Sequence, residues 1–154
     1  MRQLLFAFSL LALAATAHAD VNCQFGDVAF ASADVQTMFQ YSASGEHGKS
    51  GKVSFFRLMA HDGGTPSSSI ELKTVDVMKP GDFDLAREPG WTSVIRLHGK
   101  MQRVTGGKFS FTRFEVSGSR GHAAGTADFK TASTEGRCAF DVEVQAVDRD
   151  SLPH

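Results

Sequence analysis

The sequence predicts an all-β protein: an antiparallel β-sandwich, or a closed or partly open barrel, of about eight strands, closed by a disulfide and preceded by a signal peptide. Three observations carry this expectation. Apolar and polar residues alternate with period two, most clearly where Cys138, Phe140, Val142, Val144 and Ala146 interleave with Arg137, Asp141, Glu143 and Gln145. Turn-forming clusters rich in Gly, Pro, Ser and Asp recur roughly every ten residues. Beyond the first nineteen residues, no window keeps a helical period over three turns.

Taken in order, Met1 and Arg2 give a short positive start, Leu4 to Ala15 an apolar run, and Ala17-His18-Ala19 a small-x-small cleavage site, so residues 1–19 read as a cleaved secretory signal. The apolar run is well short of the roughly 20 residues that span a bilayer, and no second one follows, so the mature chain is expected to lack a transmembrane segment. Asp20-Val21-Asn22 before Cys23 is no lipobox, which leaves a released chain starting at Asp20. Bacterial Sec-type export to the periplasm or medium is the expected destination, with one domain over residues 20–150 and a disordered tail over 151–154.

Within that domain, Phe25 to Ala31 is expected as a poorly alternating first strand, and Val35, Thr37, Phe39 and Tyr41 mark a clean second one. Val53 and Phe55 lie on one parity but Phe56, Leu58 and Ala60 on the other; Phe109 and Phe111 switch likewise to Phe114 and Val116. Such a switch means a strand buried on both faces or a bulge. From Ser69 to Met78, Ile70 and Leu72 hand over to Val75 and Val77, as a strand crossing between packed layers would. Trp91, Ser93, Ile95 and Leu97 take the inward parity of a further strand, with Arg96 and His98 outward. The punctuating turns fall at Ser44 to Gly51, Asp62 to Pro66, Lys79 to Gly81, Glu88 to Gly90, Gly106-Gly107, Gly118 to Gly121 and Ser133 to Gly136. Eleven phenylalanines beyond residue 19 supply a ring-rich core, with Met38, Met59, Met78 and Met101 as gap fillers.

The two cysteines, Cys23 and Cys138, are expected to pair in an oxidising compartment, closing a loop of more than 100 residues worth about 4 to 5 kcal/mol of chain entropy. Arg2 is the only charged residue in 1–19, so its removal takes the formal net charge from −1 to −2. That balance argues against a nucleic-acid partner. Cations nevertheless gather from Arg96 to Arg120, where six face the single acid Glu115.

Candidate chemistry is sparse. Gly45-Glu46-His47-Gly48-Lys49-Ser50 imitates the end of a phosphate-binding loop, but Ala43 stands where its first glycine is required. Ser117-Gly118-Ser119-Arg120-Gly121 lacks the leading glycine of a nucleophile elbow. His47, His61, His98 and His122 lie near glycines at loops or strand ends; they are weak candidates for a metal site, having no short ligand spacing, and no metal or cofactor is expected. Asp82 and Asp84 lack the further oxygen ligands of a calcium loop. The expected function is therefore that of an exported, non-enzymatic binding or interaction module. Its ligand is unspecified, and an anionic surface or acidic protein patch would suit a contact surface of Arg96, Lys100 and Arg103. A β-barrel carrier of a small apolar ligand is the alternative, and a secreted hydrolase a third reading.

Overall fold

A computed structural model describes residues 20–86 and 91–153 of the chain; the expected signal peptide (1–19), the turn at Glu88 to Gly90 and His154 lie outside the described residues. The strands are β1 (Val21–Phe25), β2 (Val28–Ser32), β3 (Val35–Tyr41), β4 (Ser54–His61), β5 (Ser69–Val75), β6 (Gly81–Asp84), β7 (Val94–Leu97), β8 (Lys100–Arg103), β9 (Gly106–Ser117), β10 (Arg120–Lys130) and β11 (Glu135–Asp148). They make one curled half-barrel sheet in the order β6-β9-β10-β11-β3-β4-β5-β7-β8, while β1 pairs with β11 and β2 with β1. The curl brings β6 back beside β5, where Thr74 bridges Leu85, the Ala86 N–H bonds the Lys73 carbonyl at 2.8 Å, and the Thr74 hydroxyl donates to the Asp84 carbonyl at 2.7 Å.

The described residues thus form eleven strands rather than the expected eight, because short hairpins hide in poorly alternating sequence. The expected strand Phe25 to Ala31 is broken at Gly26, whose φ of +53° starts a two-residue turn between β1 and β2. His98 and Gly99, at φ +48° and +82°, turn β7 into β8 in the same way, so His98 is a turn residue and not an outward strand position. Gly106 and Gly107, expected as a turn, instead begin β9 opposite Lys130 and Phe129. A Cβ on Gly107 would lie 2.1 Å from the Asp128 carbonyl oxygen, so glycine here lets two strands approach.

The parity switches resolve in different ways. In β9 the register shifts so that Phe111 faces Gly125 while Arg113 faces Ala124; Thr112 is the extra residue, and Phe109, Phe111 and Phe114 all turn inward. β4 has no such shift: Phe56, Leu58 and Ala60 are buried, and Phe55 lies half-buried on the outer face against Trp91, at a ring distance of 4.3 Å. Trp91 precedes β7 and belongs to that outer contact, not to the inward row assigned to it by parity. After β5, Asp76 at φ +61° redirects the chain and buries Val77.

Inside the curl, Phe56 lies 5.3 to 5.9 Å from Phe109, Phe111 and Phe114, mostly edge to face, and Phe140 lies 5.6 Å from both Phe109 and Phe111. Phe25, Phe30 and Phe129 extend the core beneath the first hairpin. Cys23 and Cys138 face each other across β1 and β11 and form the expected disulfide, both residues buried. Met78 and Met101 are exposed and fill no core gap, contrary to the sequence reading.

β11 is the spine. Along one edge it carries β10; along the other it carries β1 as far as Phe140 and then β3, the one parallel neighbour, from Ala146. Thr37 closes the interval between them: its hydroxyl donates to the Glu143 carbonyl at 2.8 Å and accepts from the Gln145 N–H at 3.1 Å. A 3-10 turn (Arg149–Ser151) follows, and the Leu152 N–H bonds the Arg149 carbonyl at 3.2 Å.

Candidate functional site

Register, rather than sequence spacing, decides which side chains meet on the outside. Across β3, β4, β5, β7 and β8, one outward row reads Gln36, Met59, Glu71, Val94 and Arg103, and the next reads His61, Ser69, Arg96 and Met101. A depression of about 240 Å³ lies over these rows, lined by residues that include Met59, His61, Glu71, Arg96 and Met101. Its charges differ in their freedom. Glu71 is held by Lys73 at 2.9 Å, with Arg57 at 3.8 Å, and His61 is held by Asp34 at 2.8 Å. Arg96 and Arg103 are exposed and have no acidic partner among the described residues.

The cationic trio anticipated from sequence is therefore split. Arg96 and Arg103 share the outer face, with Met101 beside Arg96 at 64% exposure. Lys100, paired with Leu97, has the opposite parity. Gln102, on that same inner parity, accepts from the hydroxyls of Thr131 and Ser133, which ties β8 to the turn before β11.

Adjoining this depression through Gln36 is a larger groove of about 940 Å³, where β11 exchanges β1 for β3. Met38 and Arg57 line it from β3 and β4, Arg120 from β10, and Glu143, Gln145 and Val147 from β11. Spacing within the sequence gave no sign of it, because the parallel β11–β3 pairing is what joins residues 36–38 and 57 to residues 119–121 and 143–147. A third depression, about 700 Å³, has the glycines Gly26, Gly106, Gly107 and Gly136 in its wall and carries the Arg137–Asp128 pair at 3.5 Å.

The four histidines weighed as metal ligands occupy separate surroundings. His47 is exposed in the loop after β3, His61 pairs with Asp34, His98 turns the β7–β8 hairpin, and His122 bonds Asp141 across β10 and β11. Among the described residues, no group of three His, Cys, Asp or Glu side chains is placed to hold a metal ion. Asp82 pairs with Lys108 at 2.9 Å, and that lysine holds its carboxyl below the ordinary range. Asp62 accepts the backbone N–H groups of Gly64 and Ser68, which lower its pKa and pin the loop after β4.

Comparison with known families, characterised proteins and solved structures finds no match to this chain.

Proposed function

We propose that the chain is an exported binding module that meets an anionic partner through the outer face of β7 and β8. One observation carries the reading: two guanidinium groups, Arg96 and Arg103, flank the exposed Met101 and have no acidic partner among the described residues. An exposed apolar side chain between free cations suits an anionic surface or an acidic protein patch. Export is supported by the composition of residues 1–19 and by the buried Cys23–Cys138 disulfide, which persists in oxidising compartments. No helix among the described residues is long and apolar enough to cross a membrane. The ring-filled interior favours contact from outside over an enclosed apolar ligand. For a hydrolase, the imidazoles of His61 and His122 each bond a carboxylate, but no serine hydroxyl is bonded to either ring among the described residues.

The test is retention on heparin-like polymer or anionic vesicles at low salt. Wild type is expected to bind. Arg96→Glu with Arg103→Glu should abolish retention, and Lys100→Glu, on the other parity, should leave most of it. Failure of wild type to bind, or binding unchanged in the double variant, would overturn the reading.

A further inference from the structure

The groove at the β11–β3 junction is a separate site from the β7–β8 face, and its chemistry is more specific. Met38, half-buried, and Val147, 39% exposed, give it apolar surface, while Arg57 and Arg120 bring guanidinium groups from β4 and β10, on either side of the junction. Arg57 shares Glu71 with Lys73, which holds that carboxylate at 2.9 Å against 3.8 Å for Arg57. Arg120 has no acidic partner among the described residues. Glu143 is the carboxylate in the wall, so the groove presents two cations against one anion.

A groove of mixed polar and apolar lining, with apolar surface at Met38 and Val147 and one surplus positive charge, complements an amphiphile with a singly charged head. We infer that this groove binds a single-chain acyl carboxylate, its head held by Arg57 and Arg120 and its tail laid along Met38 and Val147. A volume of about 940 Å³ accommodates a medium-length chain. The guanidinium fork matches the two carboxylate oxygens, and the long arginine stems let both heads swing over the groove. Glu143 sets the charge preference, since it would repel the second charge of a phosphate monoester.

Calorimetric titration of the full secreted chain with decanoate, below its micelle concentration, tests this. Saturable one-to-one binding is expected, weakened at least tenfold in Arg57→Gln and in Arg120→Gln and unaffected by Arg96→Gln. Because Arg57→Gln also disturbs the Glu71 contact, its melting curve is taken alongside; Arg120, exposed at the start of β10, provides the variant that folding does not confound. Decanol should bind at least tenfold more weakly than decanoate, and decyl phosphate no more tightly. No saturable decanoate binding, equal binding of decanol, tighter binding of decyl phosphate, or an unchanged affinity in Arg120→Gln would each overturn the inference. Loss of decanoate binding in Arg96→Gln would do so too, by placing the ligand on the β7–β8 face.

Discussion

Arg149 reaches back from the 3-10 turn over the loop between β3 and β4, where one guanidinium nitrogen donates to the carbonyls of Glu46, Lys52 and Val53 at 3.3, 3.1 and 2.8 Å. Its neighbours complete the clasp: Asp148 accepts the Ala43 N–H, and Asp150 accepts the Ser44 N–H and the buried Ser42 hydroxyl. The Ser44 N–H is the main reason that the Asp150 carboxyl titrates below its ordinary value. Gly48 lies directly under the arginine, and a Cβ there would come within 2.1 Å of Nη1. The phosphate-loop likeness of residues 45–50 therefore has a structural reason for its second glycine. Gly48→Ala should force the guanidinium off its carbonyls and cost about 1 to 3 kcal/mol, since hydrogen bonds from a charged group are the stronger kind. In an Arg149→Ala background the same substitution should cost much less, a coupling that urea midpoints of the four proteins in the cycle would measure. Strictly additive costs would show that the contact is unimportant.

At the scale of the element, β11 explains both what the sequence disclosed and what it withheld. Its inward row, Cys138, Phe140, Val142, Val144 and Ala146, is buried throughout, as strict alternation implies. The β9 bulge was likewise legible as one of two readings of the switch from Phe111 to Phe114. Pairing partners were not legible, because alternation fixes which way a residue faces and says nothing of which strand lies beside it. The parallel β11–β3 contact, the outer groove and the separation of Lys100 from Arg96 all follow from pairing. Thr37 marks the point where this hidden step occurs, and nothing in its local sequence distinguishes it from an ordinary strand threonine. Thr37→Val keeps the shape and removes the hydroxyl, leaving the Glu143 carbonyl and the Gln145 N–H without that partner. A loss of about 1 to 2 kcal/mol is expected, with faster hydrogen exchange at the Gln145 amide than in wild type. An unchanged exchange rate at that amide would mean that water substitutes fully for the hydroxyl.

Across the whole molecule, the first and last strands are neighbours, and the disulfide fixes this closure by joining residues 115 apart in sequence. The first hairpin needs such a tie. Beyond β1, β2 has no second strand partner among the described residues, and an isolated hairpin is marginal on its own. With β1 anchored, Val21, Cys23, Phe25 and Phe30 stay buried over the lower half of β11, where Phe25 packs against Phe129. Cross-linking a loop of this length restricts the unfolded chain by about 4 to 5 kcal/mol in the chain-entropy model, a large share of the 5 to 15 kcal/mol typical of a whole domain. Replacing both cysteines by alanine should therefore lower the unfolding free energy, obtained from the urea midpoint and slope, by an amount approaching that figure, since small apolar side chains leave no polar group stranded at these buried positions. Amide exchange should rise most in β1 and β2, because those strands lose their covalent hold on the spine while β9 and β10 keep their pairing and β11 keeps its contacts with β10 and β3. Uniform deprotection across all strands would instead mean that the hairpin is an inseparable part of one cooperative unit, and an unmoved midpoint would mean that core packing alone closes the fold.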